Sequence, residues 1–249
     1  MLQGNLRISQ LFFMTATKLN SHIPKTIGLI MDGNRRFARA RGFPIFKGHE
    51  LGYEKLKDFL RWSKDAGINT VIAYAFSTEN WKRTKEEVGY LIKLLEHIVT
   101  DKAEELLKEK IKIKFIGQLE RLPGKIQTGI KKIEHDTGKY KNFTLVIALS
   151  YGGRAEIIEG VKKLAREEGI QGISKLREED FGSYLWTAGI PDPELIIRTS
   201  GEMRTSNFLP WQSAYSEWFF SKTFWPAFTR REFQKIISDY SARERRNGK

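Results

Sequence analysis

Three short polar segments hold the residue types that bind phosphate groups. The first polar segment, residues 32–36, follows an apolar run and reads Asp32-Gly33-Asn34-Arg35-Arg36. A helix that begins here would offer free N–H groups to an anion, and the two guanidiniums add charge. A lone carboxylate would repel phosphate, so a Mg²⁺ ion between Asp32 and a diphosphate is the economical explanation. From these residues alone, a capping aspartate with solvated arginines stays open.

The second polar segment, residues 77–83, again follows an apolar run and reads Ser-Thr-Glu-Asn-Trp-Lys-Arg. Ser77 and Asn80 can make directed hydrogen bonds, and Trp81 offers a flat apolar wall beside them. A substrate that is part polar and part hydrocarbon would need both features. The alternative is an ordinary loop in which Asn80 and Thr84 shape the turn into the next helix.

The third polar segment, residues 198–207, carries two arginines, four hydroxyl side chains and a glycine after a short apolar run. Arg198 and Arg204 could bind a second diphosphate, because guanidinium forks match phosphate oxygens. Two phosphate-binding segments suggest two phosphorylated substrates. Glu217 lies in an aromatic stretch and would be costly to bury alone, so we expect it to face a metal ion or an arginine. A paired structural carboxylate is the alternative.

Apolar, β-rich runs alternate with helical patterns along the chain. The runs cover residues 26–31, 70–76, 111–116, 143–149, 195–197 and 218–220. The predicted helices cover residues 51–66, 125–135, 155–168, 178–185 and 230–246, with one more that begins at Thr84. This alternation predicts a single α/β domain with a mostly parallel central sheet of about six strands, flanked by helices. The three polar segments would then share the carboxyl edge of the sheet, where ligands bind.

The helix that begins at Thr84 has a capping box with Glu87 and repeats apolar residues on one face. We predict that this face is core; its members are Val88, Leu91, Ile92, Leu95, Ile98 and Val99. Residues 169–175 separate two helical patterns and contain Gly169, which predicts a loop.

The charge balance points to an anionic partner. The 249 residues include 43 Lys and Arg against 30 Asp and Glu, a formal net charge of +13 at pH 7. Phosphate, nucleic acid or a lipid surface would each suit it. The lack of cysteine fits a cytoplasmic location. Residues 1–23 hold no apolar run long enough to span a membrane, so we expect a poorly ordered lead-in before a catalytic domain over residues 24–249.

Taken in order, these motifs resemble the cis-prenyltransferases, the family of undecaprenyl and dehydrodolichyl diphosphate synthases, and in particular its archaeal-type members. The matching stretches are MDGNRR (31–36), GHELG (48–52), YAFSTENWKR (74–83), SYGGRAEI (150–157), IIRTSGEMRTSNFLPWQ (196–212), YSEWFF (215–220) and RERRNG (243–248). The resemblance implies an undecaprenyl diphosphate synthase-like fold with an apolar tunnel. It also implies a Mg²⁺ cofactor and a homodimer in which Arg246-Asn247-Gly248 reaches the partner's active site.

The resemblance implies roles for individual residues. Asp32 would hold Mg²⁺ against the diphosphate, Glu217 would help to place the metal, and Asn80 occupies the position often assigned to the proton acceptor. The allylic diphosphate would contact Gly33, Asn34, Arg35, Arg36, Phe37 and His49. The reaction centre would be lined by Ser77, Thr78, Glu79, Trp81 and Arg83. The isopentenyl diphosphate would be held by Arg198, Arg204, Thr205 and Ser206.

The activity implied by the resemblance is the sequential condensation of isopentenyl diphosphate with an allylic diphosphate. The product would be a long-chain Z-polyprenyl diphosphate, the precursor of a glycosyl carrier lipid, which implies peripheral contact with a membrane. Arg35 replaces a glycine of bacterial members, and Ile45 replaces a common arginine, for which Lys47 could substitute. The primer therefore stays open between farnesyl and geranylgeranyl diphosphate, and the archaeal-type similarity makes the latter reasonable.

Other classes of protein fit the sequence less well. Trans-prenyltransferases are all-helical and depend on DDxxD motifs, whereas this chain has no Asp-Asp pair. Nucleic acid is not an expected partner, because no known nucleic-acid-binding motif occurs. The remaining alternative is a non-catalytic partner subunit of a heteromeric cis-prenyltransferase. Such subunits usually lose the aspartate of the first motif, and Asp32 is present here.

Overall fold

A computed structural model describes residues 23–101 and 107–243. The predicted lead-in, apart from residue 23, and the Arg246-Asn247-Gly248 end lie outside the described residues. Six strands form one sheet: β1 (Thr26–Ile30), β2 (Thr70–Ser77), β3 (Lys112–Ile116), β4 (Thr144–Tyr151), β5 (Leu195–Arg198) and β6 (Glu217–Phe220). The helices within the described residues are α1 (Asn34–Ala40), α2 (Ile45–Asp65), α3 (Lys85–Thr100), α4 (Gly124–Thr137), α5 (Gly153–Lys175), α6 (Glu178–Phe181) and α7 (Arg230–Ser241). The predicted single α/β domain is confirmed.

The strands follow the order β3-β4-β2-β1-β5-β6, and every neighbouring pair is parallel. Ile30, the last residue of β1, pairs with Tyr74 of β2 and with Arg198 of β5. The polar segments that follow these three strands therefore leave the same edge of the sheet. All five residues of β1 are buried, as a strand covered by helices on both faces requires.

The two faces of the sheet carry different cores. On one face, the rings of Trp225, Phe59 and Phe233 pack together, with centroids 5.7 and 5.2 Å from Phe59. Trp225 also donates its indole N–H to the backbone oxygen of Gly52 in α2 at 2.8 Å. On the other face, Tyr74 stacks on Phe208 with centroids 4.7 Å apart. The second core thus extends to the carboxyl edge of the sheet.

Helix α2 starts earlier than predicted and packs closely on α1. It begins at Ile45, so Gly48 and His49 are helical, which corrects the prediction of a helix from residue 51. A Cβ atom on Gly48 would lie 2.2 Å from the backbone oxygen of Asn34. The glycine therefore sets the distance between α2 and the first turn of α1.

The apolar face of α3 is fully buried only near its C-terminal end. Val99 is buried, whereas Val88, Leu91, Ile92 and Leu95 are half-buried and pack against the larger core. The predicted face therefore does pack on the core, although most of its members are only partly buried. Gly129 of α4 lies close to Val99, because a Cβ at that position would be 2.9 Å from a Val99 methyl. Helix α3 thus offers apolar surface along its first turns.

Three further boundaries differ from the predicted ones. Helix α5 breaks at Gly169 (φ 66°) and then resumes to Lys175, so the predicted loop over residues 169–175 is wrong. Helix α6 has a single turn and continues into a 3₁₀ turn over Gly182–Tyr184. Helix α7 ends at Ser241. Within the described part of the chain, no helix is long and apolar enough to cross a membrane.

The substitution Gly48→Ala tests the contact between α1 and α2. The added methyl group must push against the backbone of Asn34, so we expect a loss of about 2–3 kcal/mol in the free energy of unfolding. Gly89→Ala is the matched control, because a Cβ on this α3 glycine meets nothing within 4 Å. That substitution should stabilise the chain by about 0.5–1 kcal/mol. Urea unfolding measures both, and equal effects would show that the α1–α2 contact is loose.

Candidate active site

A cavity of about 810 Å³ opens at the carboxyl edge, between the ends of β1, β2 and β5. The sequence-predicted residues that line it are Asp32, Gly33, Asn34, Arg35, Arg36, His49, Ser77, Glu79, Asn80, Arg83, Arg198, Arg204 and Ser206. A larger depression of about 1380 Å³ lies around α6 and the amino end of β6, but its charged lining residues are all carboxylates. Of these two, only the cavity at the carboxyl edge suits an anionic ligand.

The guanidinium of Arg198 connects the first and third polar segments. Its side chain is 4% exposed and donates from Nη2 to Asp32 Oδ2 at 2.8 Å. Nη1 donates to Ser206 Oγ at 2.7 Å and to the backbone oxygen of Arg204. A buried charge needs such partners, because water no longer solvates it. Arg198 therefore fixes Asp32 and the third polar segment relative to each other.

The backbone of the third polar segment and of the residues just after it is strained. Hydrogen bonds of one residue, Asn207, hold it in place. Asn207 accepts at its backbone oxygen from the N–H of Gly153 (2.8 Å) and at Oδ1 from the N–H of Arg154 (2.9 Å). Its Nδ2 donates to Glu79 Oε1 at 3.2 Å, which ties the second polar segment to the third. Such contacts must offset the cost of left-handed φ angles. Between residues 198 and 209, the non-glycine residues with positive φ are Ser200, Ser206, Asn207 and Leu209.

A buried carboxylate, that of Glu156, accepts hydrogen bonds from residues before and after the third polar segment in the sequence. Glu156 of α5 is fully buried and accepts hydrogen bonds from the Tyr151 hydroxyl (2.5 Å), the Thr187 N–H (3.0 Å) and the Gln212 side-chain amide (3.0 Å). These bonds satisfy the carboxylate without a cation. They also join two of the sequence motifs, residues 150–157 and 196–212, in one network.

Glu87 has a different role from the predicted capping box. Thr84 Oγ1 accepts from the Glu87 N–H at 3.3 Å, so the cap itself is confirmed. The Glu87 carboxylate turns instead to Arg83 (2.7 Å) and Arg35 (3.4 Å). It therefore pairs arginines of the first and second polar segments. Sequence reasoning missed this role, because the capping pattern already explained a glutamate at this position.

Glu202 joins the arginines of the first and third polar segments. Arg36 Nη1 donates to Glu202 Oε1 at 2.8 Å, and Arg204 donates to Oε2. Arg36 also lies 3.3 Å from Asp32 Oδ1. The hydrogen bond from Arg204, supported by Arg36, lowers the pKa of Glu202 and keeps it anionic. A bound diphosphate would compete with this carboxylate for both guanidiniums.

His49 is neutral at physiological pH. Burial is the main cause that lowers its pKa to about 4, and the nearby Arg83 guanidinium adds to the effect. Its Nε2 is buried without a hydrogen-bond partner among the described residues. The same holds for Asn34 Oδ1, Arg198 Nε and Ser200 Oγ. Of these residues, His49, Asn34 and Arg198 line the cavity, where their free atoms could bind a polar ligand.

The neighbouring side chains of Asn80 and Trp81 have different surroundings. Asn80 lines the cavity, and its Oδ1 accepts from the Ser77 N–H at 3.0 Å, which caps the 3₁₀ turn over Thr78–Lys82. Trp81 faces away, packs on Phe76 with ring centroids 5.0 Å apart and donates its indole N–H to Ser150 Oγ at 2.9 Å. Phe37, Thr78 and Thr205 also lie outside the cavity lining. Lining residues that the sequence reasoning missed include Arg39, Tyr74, Leu91, Glu202 and Asn207.

The two predicted metal ligands do not meet within one chain. Glu217 starts β6 and pairs with Leu195, so it lies at the amino edge of the sheet, opposite to Asp32. Its carboxylate accepts from Arg243 at 2.7 Å, which is the paired arrangement left open above. The described residues hold no cluster of three or more His, Asp or Glu that could bind a metal. A Mg²⁺ ion at Asp32 would therefore take most ligands from a diphosphate and water, as this ion commonly does.

The fold and the cavity define a class of protein: an α/β enzyme that binds phosphorylated substrates at the carboxyl edge of a parallel sheet. The undecaprenyl diphosphate synthase family model matches residues 30–248. The chain belongs to this family of prenyltransferases, which confirms the resemblance seen in its motifs.

Named relatives and solved structures support the assignment. The isoprenyl transferase of Thermotoga maritima is 46% identical over 91% of this chain and 97% of that protein. The tritrans,polycis-undecaprenyl-diphosphate synthase (geranylgeranyl-diphosphate specific) of Picrophilus torridus is 44% identical over 91% and 90%. Lavandulyl diphosphate synthase from Lavandula x intermedia, solved with dimethylallyl diphosphate, matches 91% of this chain and 99% of that chain with a TM-score of 0.85 and 31% identity. These enzymes favour a catalytic chain over a non-catalytic partner subunit.

The buried His49 predicts a pH dependence of stability. Its pKa in the folded chain, about 4, lies below the ordinary value of 6.5, so the unfolded chain binds the proton first as pH falls. The contribution is full above pH 6.5 and is lost towards pH 4. Urea unfolding at pH 7 and 4.5 should show that the wild type loses about 2–3 kcal/mol more than His49→Gln. The exposed control His135→Gln should keep the wild-type slope, and an equal slope in all three chains would contradict a buried neutral His49.

Glu202→Gln tests competition for the arginines. The substitution keeps the shape and removes the charge, so inorganic diphosphate should bind about threefold to tenfold more tightly, as two exposed ion pairs would allow. Isothermal titration calorimetry measures the dissociation constant. Glu179→Gln, far from this cavity, is the control and should bind like the wild type. Weaker binding by Glu202→Gln would mean that the carboxylate positions the guanidiniums and does not compete with the ligand.

Proposed function

We propose that this prenyltransferase is Mg²⁺-dependent and extends an allylic diphosphate by successive additions of isopentenyl diphosphate. The product is a long-chain Z-polyprenyl diphosphate, and geranylgeranyl diphosphate is the preferred primer. The observation that carries the proposal is the convergence of two arginine-bearing segments on Asp32 in one cavity. The primer follows from relatives whose names specify geranylgeranyl diphosphate.

The first and second polar segments bind the allylic diphosphate. Arg35, Arg36 and neutral His49 face the cavity from α1 and α2. As the allylic carbon–oxygen bond breaks, negative charge builds on the departing diphosphate, and fixed guanidiniums stabilise it. Mg²⁺ bound at Asp32 supplies Lewis-acid stabilisation of the same charge. Asp32 is already oriented for this by Arg198.

The third polar segment binds the isopentenyl diphosphate through Arg198, Arg204 and Ser206. With both diphosphates held in this cavity, the double bond of the second substrate would lie beside the allylic carbon, so that a new carbon–carbon bond forms as the allylic carbon–oxygen bond breaks and a proton leaves. The carboxamide of Asn80 is a poor base, and its oxygen already accepts from Ser77. Asn80 therefore orients the reacting groups, and a diphosphate oxygen is the more basic acceptor.

The growing hydrocarbon lies along the half-buried apolar face of α3. Leu91 belongs both to this face and to the cavity lining, which connects the diphosphate sites with the apolar surface. Each buried methylene contributes about 0.8 kcal/mol, so the chain gains affinity as it lengthens. This surface is one wall of the proposed tunnel.

The proposed catalytic domain spans residues 24–249, and the proposed enzyme works as a homodimer. Its Arg246-Asn247-Gly248 end, outside the described residues, contacts the partner's site. Glu217 can then serve a metal only from the neighbouring subunit, since it lies at the opposite edge from Asp32 in its own chain.

The proposal is tested by incubating the purified chain with labelled isopentenyl diphosphate, Mg²⁺ and either primer, followed by chain-length analysis. We expect Mg²⁺-dependent extension, with the higher kcat/KM for geranylgeranyl diphosphate. Asp32→Asn should lower kcat/KM by about 1,000-fold, because it removes the metal-binding charge. Asp65→Asn, on an exposed ion pair with Arg230, is the matched control and should not differ from the wild type. No extension with either primer from a folded dimer would favour the non-catalytic subunit.

A further inference from the structure

A rigid, exposed turn connects α1 to α2 beside the cavity. Residues 39–44 are all exposed, and we name residues 39–47 the α1–α2 turn. The N–H of Phe43 donates to the backbone oxygen of Ala38 at 2.9 Å, and that of Lys47 to Pro44 at 3.0 Å. Gly42 (φ 67°) reverses the chain between them. The turn is therefore fixed by its own backbone and presents its side chains outward.

The side chains of two phenylalanines in this turn are exposed to solvent. Phe43 is 44% exposed and Phe46 is 49% exposed, three positions apart. A single exposed ring needs no explanation, but two rings in one rigid turn form an apolar surface that packing in the chain does not use. The Phe46 ring rests against Tyr90 of α3, with centroids 5.5 Å apart. The surface thus contacts α3 through Tyr90, which lies outside the apolar face of that helix.

Basic side chains outnumber acidic ones around these rings, where Glu50 is the acidic neighbour. Residues 33–49 contain five basic residues and no carboxylate. Arg35 and Arg36 pair with carboxylates of the cavity, which leaves Arg39, Arg41 and Lys47 around the phenylalanines. Lys47 pairs with Glu50 at 2.9 Å, and Arg41 lies over the Phe37 ring at 5.3 Å. The turn therefore combines exposed rings with excess positive charge.

This combination matches the interface of an anionic lipid bilayer. Aromatic rings insert at the boundary between head groups and acyl chains, and arginine or lysine side chains reach the phosphates. Two other exposed apolar pairs lie on α5, Ile158 with Val161 and Ile170 with Ile173. The first is flanked by Glu159 and Lys162, and the second follows Glu167 and Glu168, so neither pair has an excess of positive charge like that of the turn. Arg39 also lines the cavity. A bilayer on the α1–α2 turn would therefore lie next to the site.

We propose that the α1–α2 turn docks the enzyme on anionic membranes, with Phe43 and Phe46 inserted and Arg39, Arg41 and Lys47 on lipid phosphates. The inference rests on the proposed function only for its biological role: a lipid product made at the site would pass into the bilayer next to it. Docking itself needs no substrate and no turnover.

The test is flotation of the full chain with vesicles of phosphatidylcholine, either pure or with one third phosphatidylglycerol. The wild type should bind the anionic vesicles and be released by high salt, because the head-group charge is screened. Phe43→Ser with Phe46→Ser should reduce the partition coefficient about tenfold or more, and Arg41→Gln about fivefold. Ile170→Ser with Ile173→Ser has the same spacing on another face and should bind like the wild type.

Several results would overturn the docking role. The membrane contact would lie elsewhere if the Phe43/Phe46 variant still bound the vesicles while another variant did not. The variants compared are Ile170→Ser with Ile173→Ser, and Phe12→Ser with Phe13→Ser. A change of oligomeric state of the Phe43/Phe46 variant in light scattering would make the turn a subunit interface. Extension of farnesyl diphosphate in detergent separates this inference from the proposed function. The Phe43/Phe46 variant should retain wild-type kcat/KM there, and a loss would show that the turn serves the chemistry.

Discussion

The buried guanidinium of Arg198 is the constraint on which the site depends. It cannot stay in a dry sheet edge without anionic and polar partners, and it finds them in Asp32 and Ser206. The strands that carry Asp32 and Arg198 are neighbours, so one ion pair brings two segments, distant in sequence, to a fixed distance. Arg83 and Arg36 are likewise paired with carboxylates, those of Glu87 and Glu202. In the proposed function, diphosphate oxygens would replace Glu87 and Glu202 at these guanidiniums.

The convergence of the polar segments could be predicted from the sequence, because parallel strands send their carboxyl ends to one edge. Asp32 and Arg198 were found in this way, and the cavity contains both. The partners of the arginines could not be predicted. Glu87 and Glu202 reach guanidiniums of other segments, and no local spacing encodes which carboxylate meets which arginine. Glu217 faces an arginine, Arg243, as one of its expected alternatives required, but only the register of β6 shows at which edge of the sheet it lies.

Helical periodicity identified apolar faces but not what covers them. The pattern of α3 is that of a core helix, yet only Val99 is buried, where Gly129 of α4 permits close approach. The early start of α2 was missed because Gly48 has low helix propensity, and its close contact with Asn34 overrides that preference. In both places a neighbouring element decides the outcome, and a single-sequence pattern does not contain that information.

The incomplete cover of α3 gives the enzyme an uneven stability. A helix that buries only one end opens at lower free energy than the rest of the fold, and its amide protons should exchange sooner. A hydrocarbon chain along Val88, Leu91 and Leu95 would supply the missing contacts and slow that opening. Each added isoprene unit would then make both product and helix harder to release. Once the tail has passed the end of α3, further units would add no contact with this helix and no further stability to it.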